Sequence, residues 1–512
     1  MNVKKVLARA RKIKSDLIRT LDPKRLFSVR DVCRMLNVSV PDGVIDPDKK
    51  LSMICCFEGV FIPDCLYVHY EREPRAQAER AFRQGAALVL ASDEIEGIPC
   101  IVVPDVFAAL RTILTNIWEP MKIPTAVVTG SIGKTTTKNL VNHVFAEKYR
   151  TFCNMTNGNT FEYVGFELQR FDRRAERFVQ EVNESDPDNA KNASLVLKPD
   201  IAMITNMDKS HIGELGSEEN IIRAIMDITA GMDENGVVII NGDDKNSVNA
   251  EFRHRVIRVA VENEAAECIA RNIEDTPLGL SFDICYEGKT THIVFDIPGK
   301  HNVYNIMMAF VAGRLNDIPE KLIARGVRKY RPLGFRQNMY RAGRRTLYAD
   351  CYNASERSIR SALGVIDSLS VKKGGRRIAV IGDIAEIDGY EEEIYRGVAE
   401  AVSGSKTDVL LTYGKDTAMI AKDVTSGIPC FHAGTADELT ELIKLHSTGP
   451  DVLLFKASRS MALEQIIRRL FPPCLCKGHD AHLQAVPEMD AENTVIHRRR
   501  GRNHEGFACC HR

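Results

Sequence analysis

The chain has 512 residues with 69 Lys+Arg against 69 Asp+Glu, so no net charge draws it as a whole to nucleic acid or to an anionic membrane. Hydrophobic residues at 44% suffice for several packed cores, and charged residues at 27% exclude a disordered or collagen-like chain. At about 100–200 residues per domain the length predicts roughly three domains, and no apolar run reaches the ~18–20 residues of a membrane span.

Residues 1–25 place Val6, Leu7, Ala10, Ile13, Leu17 and Leu21 at helical spacing, with Lys and Arg on the other face. This predicts an amphipathic helix docked on the protein, with peripheral contact to a membrane surface as the alternative. The stretch lacks the uninterrupted apolar run of a secretory signal. The fourteen cysteines are scattered. They do not form the pattern of a disulfide framework, and most of the first ten sit in apolar stretches and read as small hydrophobes in a reducing, cytoplasmic setting.

Residues 26–120 predict a small α/β domain. Within it, 78–92 reads as helix, Gly turn and buried strand, and 98–105 as a second buried strand. Residues 116–124 read as a hinge. A central α/β domain over 121–332 follows. Its TAVVTG is a short strand ending in Gly, and SIGKTTTKNLVNHVFAEKY is a turn and helix. Further strands over 200–206, 236–242 and 291–297 predict a largely parallel sheet covered on both faces. Residues 333–472 alternate strands at 345–350, 376–383, 408–414 and 451–458 with helices. That is a Rossmann-like, doubly wound unit without the GxGxxG of a dinucleotide site. Residues 473–512 show no periodicity and read as a disordered tail, and their Cys and His spacing matches no zinc pattern.

The sharpest local pattern is Thr129-Gly130-Ser131-Ile132-Gly133-Lys134-Thr135-Thr136, between a strand and a helix. Gly130 and Gly133 let the backbone approach an anion closely. Backbone N–H groups, that of Ser131 included, and the helix start can hold phosphates. Lys134 can reach the β- and γ-phosphates, and the Thr135 hydroxyl can hold Mg²⁺. Val128 stands where the full GxxxxGK(S/T) pattern has its first Gly. The central domain thus reads as a P-loop, ATPase-like unit that holds a nucleotide's phosphates with Mg²⁺, a plain Gly-containing strand–helix turn being the alternative.

Six motifs follow one another in order: TGSIGKTTT, the stretch from Glu181 through ITNMDKSHIGELGS, IPGKHNVYNIMMAF, ADCYNAS, IGDIAEIDG and LLFKASRSM. Together they resemble the Mur ligases, the ATP-dependent enzymes that build the peptide stem of peptidoglycan, over residues 26–472. LLFKASRSM favours the branch that joins D-alanyl-D-alanine to UDP-MurNAc-tripeptide. The resemblance implies transfer of phosphate from ATP to a substrate carboxylate and attack of an amine on the acyl phosphate. It implies Lys134 and His211 as catalytic residues, and Thr135, Glu181 and His211 around Mg²⁺. Gly130, Ser131, Gly133, Thr135, Thr136, Asn302, Asn305, Arg336 and Asp350 fall at the family's ATP positions. For Asn302, helix capping is an equal reading, and for Asp350 a turn. Asn159, Tyr352, Asn353, Asp383, Glu386, Lys456, Ser458 and Arg459 fall at substrate positions, with strand-end capping as the plain alternative for the last group. The implied partners are a nucleotide-sugar peptide and a dipeptide or amino acid.

The departures from the family sit near function, mostly on the substrate side and at a second metal position. The uridine-binding DSR has no counterpart near ICCFEG (54–59). Phe161-Glu162 replace a pair of Asn residues. Ile225 stands where a carbamylated Lys would hold a second Mg²⁺. Ser355-Glu356 and Tyr395 replace an Asn-Pro and a His. This asymmetry points to a relative with a modified acyl or amine substrate, or to a catalytically degenerate ATP-binding scaffold.

Overall fold

The structure is a computed structural model that describes residues 27–472 except 45, 57–62, 72, 155–157, 187, 209–211 and 333. The amphipathic helix and the tail expected at the two ends lie outside the described residues.

The first sheet is all parallel: β1 (Ile54–Cys55), β2 (Leu66–Val68), β3 (Leu88–Ala91) and β4 (Cys100–Val102), in spatial order 1-2-3-4. Every residue of β2 and β3 is buried, as a parallel sheet covered on both faces requires. The helix after β4 runs from Val106 to Trp118, and a 3₁₀ turn over Glu119–Met121 follows. The hinge expected at 116–124 therefore begins only after Trp118, because Ile117 and Trp118 are part of the helix's buried face.

The second sheet has nine strands: β5 (Thr125–Thr129), β6 (Thr151–Cys153), β7 (Arg177–Glu181), β8 (Ile201–Ile204), β9 (Val237–Asn241), β10 (Arg255–Ala260), β11 (Cys268–Thr276), β12 (Gly279–Tyr286) and β13 (Lys289–Phe295). Their order is β13-β12-β11-β10-β9-β8-β5-β7-β6. Pairing is parallel from β6 to β11 and antiparallel from β11 to β13. The chain leaves β5 toward the β7–β6 edge and returns to β8 on the other side. The carboxyl end of β5 is thus a topological switch point, where open α/β sheets bind ligands. β5 is buried throughout, with Val127 in one apolar core and Ala126 and Val128 in the other.

Helix Lys134–Phe145 leaves that end of β5, and helix His301–Leu315 packs beside it. The second helix is apolar nearly all round, from Val303 to Gly313, as a core helix must be. At Gly313 a Cβ would meet Val144 Cγ1 at 2.7 Å, so glycine allows the close approach that carries Asn305 to the phosphate loop.

The third sheet holds β14 (Asn338–Ala342), β15 (Arg345–Ala349), β16 (Arg377–Gly382), β17 (Val409–Tyr413), β18 (Cys430–Ala433) and β19 (Val452–Lys456), ordered β14-β15-β19-β16-β17-β18. It is parallel except for the β14–β15 hairpin. The architecture is therefore α/β with three sheets, as the alternation of strands and helices predicts. Gln169 ties the first sheet to the second by accepting from Ile54 N–H at 2.7 Å and donating to Ile54 C=O at 3.0 Å. Among the described residues no helix is long and apolar enough to cross a membrane.

Candidate active site

A cleft of about 810 Å³ opens between the second and third sheets, at the carboxyl end of β5. The loop leaving β5 forms its floor. Gly130 has φ +113° and Gly133 φ +92°, and a Cβ at either would press on a neighbour. At Gly130 it would lie 2.5 Å from Thr205 Oγ1, and at Gly133 2.7 Å from Asn305 Oδ1. The loop is pinned to the segment after β8. Ser131 Oγ donates to Asp208 C=O at 2.9 Å and accepts from Asp208 N–H at 2.8 Å. The Asn206 amide brackets Ile132, accepting from its N–H at 3.0 Å and donating to its C=O at 3.1 Å. The first intrahelical bond runs from Thr137 N–H to Gly133 C=O. The N–H groups of Lys134, Thr135 and Thr136 thus lie in the first turn, without intrahelical acceptors, and all three residues line the cleft. A phosphate there meets N–H groups and the positive end of a helix.

Lys134 does not extend freely into the cleft. Its Nζ donates to Gly130 C=O at 2.6 Å and to both oxygens of Glu184, at 2.8 and 3.0 Å. Glu184 is fully buried. Nothing in the sequence pattern singled it out.

Glu181 ends β7 and is buried. Its backbone N–H donates to Asn154 Oδ1 at 2.9 Å, and its Oε1 accepts from Asn159 Nδ2 at 3.0 Å. No hydrogen-bond donor among the described residues reaches Oε2, and the buried Lys138 ammonium lies 4.0 Å from it. A carboxylate with one anchored and one undonated oxygen, lining the same polar cleft as Thr135, fits a hard divalent cation. His211 lies outside the described residues. Ile225 is fully buried in an apolar core, so this helix brings no metal-binding side chain at that position.

Helix His301–Leu315 supplies the next wall. Asn305 lines the cleft, accepting from Thr137 Oγ1 at 3.1 Å. Asn302 is fully buried and donates to Gln337 Oε1 at 2.9 Å and Pro298 C=O at 3.3 Å, joining the helix to the segment that leads into the third sheet. The helix cap is Lys300, so Asn302 does not serve as the N-cap. His301 lines the cleft, and burial pushes its imidazole below the ordinary range.

From the third sheet come Arg336, Asp350, Tyr352, Asn353 and Lys456, all lining the cleft. The Arg336 guanidinium lies 3.5 Å above the Tyr352 ring. Asp350 accepts from Gln337 N–H at 3.1 Å and pairs with the buried Lys456 at 2.9 Å. Lys456 also donates to Asn353 C=O. Glu386 lines the cleft at φ +65°, and its C=O accepts from Gly213 N–H of the central domain at 3.2 Å. A Cβ at Gly213 would lie 2.8 Å from Asp388 N, so the glycine permits the two domains to meet. Arg357 adds a cross-domain ion pair with Asp244 at 3.2 Å.

Three residues assigned to substrate by their motifs are engaged elsewhere. The Asp383 carboxylate accepts from the N–H groups of Lys415, Asp416 and Thr417 at 2.7, 3.1 and 2.9 Å and shapes the loop after β17. Ser458 Oγ is buried and accepts from Ala385 N–H at 2.8 Å. Arg459 pairs with Glu464 at 2.6 Å. The first two hold the 383–386 loop that carries Glu386 to the cleft. Of the replaced residues, Tyr395 is buried with its OH accepting from Ile384 N–H at 3.0 Å, and Phe161 and Glu162 are both buried.

Comparison with known proteins agrees with this geometry. Residues 128–313 match the Mur ligase middle domain, and residues 336–459 match the Mur ligase glutamate ligase domain. The UDP-N-acetylmuramoyl-tripeptide--D-alanyl-D-alanine ligase of Bacillus subtilis is 30% identical over 444 residues, covering 84% of this chain and 93% of that protein. The Escherichia coli enzyme of the same name is 26% identical over 440 residues, with the same 84% and 93% coverage. Among solved structures, MurF from Acinetobacter baumannii shares the fold at a TM-score of 0.78 and 21% identity, covering 88% of this chain and 99% of that one. The MurF ligase of Thermotoga maritima in complex with ADP does so at 0.71 and 17%, covering 82% and 96%. By its fold, its phosphate loop and these matches, the chain belongs to the Mur ligase family of ATP-dependent, amide-bond-forming ligases.

Proposed function

We propose that the protein joins D-alanyl-D-alanine to the peptide carboxylate of UDP-MurNAc-tripeptide, through an acyl phosphate. The observation that carries this reading is the convergence of the phosphate loop, Glu181 and Arg336 on one cleft lined by both domains. The relatives' named reaction supplies the substrates. A carboxylate oxygen takes the γ-phosphoryl group and ADP leaves. The amine nitrogen then forms the C–N bond, loses a proton and expels inorganic phosphate.

Phosphoryl transfer asks the protein mainly for positioning and charge. The first-turn N–H groups orient the phosphates, and Lys134 neutralises their charge. Mg²⁺, held by Glu181 and Thr135, would draw off further negative charge from the phosphate oxygens. Arg336 enters from the third sheet, so domain approach completes the cationic ring and keeps water from a labile acyl phosphate. Asn159 fixes the Glu181 carboxylate, while Glu386, Asn353 and Lys456 line the side from which the amine arrives. ATP and nucleotide-activated sugars are cytoplasmic metabolites, which puts the protein in the cytoplasm on this reading.

A second reading keeps the chemistry and changes a substrate. It is favoured by Phe161 and Glu162, which fill the start of helix Phe161–Gln169 with a buried ring and a buried carboxylate. One assay separates the readings: full-length protein with ATP, Mg²⁺, UDP-MurNAc-tripeptide and D-alanyl-D-alanine, with products read by mass. The pentapeptide adduct supports the first. ADP release only with other acyl or amine substrates supports the second. ATP binding with no amide product from any pair refutes both and leaves a scaffold.

A further inference from the structure

The Lys134–Glu184 pair is not explained by phosphate binding. An ammonium has three N–H donors. Lys134 directs them to Gly130 C=O and to a carboxylate held at 2.8 and 3.0 Å. The Lys134 side chain is only 11% exposed, and that of Glu184 is fully buried. Glu184 lies three residues beyond Glu181, past the end of β7, so the segment leaving the strand that ends in Glu181 carries this second carboxylate. A nucleotide polyphosphate arriving on the loop competes with Glu184 for the same cation.

We propose that Glu184 is a positioning residue that parks Lys134 in the nucleotide-free protein and weakens polyphosphate binding by competing for its ammonium. The proposal rests on the reading of loop 130–136 as the nucleotide phosphate site. The sign follows from both ends of the exchange. Without nucleotide, the pair stabilises a buried cation. With nucleotide, Lys134 turns to phosphate, and Glu184 keeps a buried negative charge beside an incoming anion. Neutralising Glu184 removes the first stabilisation and the second repulsion, and both changes tighten binding. The resulting ligase would release ADP readily after each turnover.

The test is titration calorimetry of the full chain with ADP and, separately, AMP, in the presence of Mg²⁺. Breaking a buried ion pair is a large perturbation, so Glu184→Gln should bind ADP about tenfold or more tightly. AMP, which carries no β-phosphate, should change less than about twofold, and that split is something a merely structural role would not produce. In a Lys134→Gln background the gain from Glu184→Gln should vanish. Should Glu184→Gln fail to fold, Glu184→Asp carries the test: its shorter reach stretches the pair and should tighten ADP roughly threefold. Unchanged or weaker ADP binding by a folded variant overturns the proposal. So does equal tightening of AMP, or a gain that survives Lys134→Gln. A wild-type protein that binds no ADP refutes the nucleotide reading itself, whereas wild-type binding with no Glu184 effect refutes only this proposal.

Discussion

Gly130→Ala is the substitution that most directly tests the phosphate loop. The residue has φ +113°, a conformation that costs an L side chain about 1–2 kcal/mol. The new Cβ would lie 2.5 Å from Thr205 Oγ1, 2.7 Å from Asn206 O and 3.0 Å from Asn206 N. Two of those three atoms are backbone, so no side-chain rotation relieves the contact. Overpacking of this kind costs a further ~1–3 kcal/mol, giving about 2–5 kcal/mol in all. The loop can escape only by giving up its bonds to Asn206 and Asp208, which shape the phosphate cradle. A control isolates the clash: Gly288, in the β12–β13 turn, has φ +72° and nothing within 4 Å, so Gly288→Ala bears only the conformational cost of about 1 kcal/mol. The single tryptophan, Trp118, is buried with its Nε1 bonded to Leu197 C=O and its ring against Phe171 and Phe178. Its fluorescence therefore reports unfolding of the central domain in urea, and calorimetry with ADP reports the cradle. Gly130→Ala should lose both stability beyond the control and ADP affinity. Equal urea midpoints and undiminished ADP binding for the two variants would refute the described loop.

Three further outcomes follow from the site and its supports. Lys134→Ala should lower turnover by at least about 10²–10³-fold, as loss of one charge-stabilising donor does, in a protein whose far-UV circular dichroism is unchanged. Glu181→Gln should raise the Mg²⁺ concentration for half-maximal turnover about tenfold or more while leaving Mg²⁺-free ADP binding within about twofold, measured by metal titration. His143, on the helix that starts at Lys134, is held down to about 4 by burial, with the Lys329 and Arg331 charges adding to the effect. It is neutral in the fold and gains a proton near pH ~6.5 when unfolded. Its contribution is therefore complete above pH ~6.5 and is lost as pH falls toward about 4, up to ~3 kcal/mol at the acid end. His143→Gln should flatten the fall in the urea midpoint between pH 8 and pH 5.

The strand–loop–helix at 125–145 was legible because its chemistry is local: two glycines, a lysine and a helix start lie within six residues. The β11–β13 meander was harder to read. Leu280, Phe282, Ile284 and Tyr286 do alternate as a half-buried antiparallel strand should, but the surrounding parallel units mask that period. Glu184 was illegible for a different reason. A glutamate after a strand ordinarily faces solvent, and its partner Lys134 is fifty residues away, brought near only because β5 and β7 are adjacent. Asp383 and Ser458 show the limit of motif matching. They match positions near a ligand, yet their oxygens accept backbone N–H groups, so the same letters mark the loop that presents Glu386.

A chain with no net charge must gather cations locally to hold a nucleotide, and here it stores them in pairs. Lys134 rests on Glu184, Lys456 on Asp350 and Arg357 on Asp244. Anion binding in such a cleft is an exchange of partners, so its strength depends on how firmly each cation is held beforehand. Arg336 differs, since the aromatic face of Tyr352 holds it rather than a carboxylate among the described residues. A cation–π contact is worth about 0.5–2 kcal/mol, whereas stripping one partner from a buried ion pair costs about 3–5 kcal/mol. Arg336 is therefore released more cheaply than the buried Lys134 and Lys456, as is Arg357, whose partly exposed pair is worth only about 0–1 kcal/mol. Arg336 also enters the cleft from the side of the third sheet. An anion in the cleft thus draws first on the loosely held arginines, while the buried lysines stay paired until it outcompetes their carboxylates.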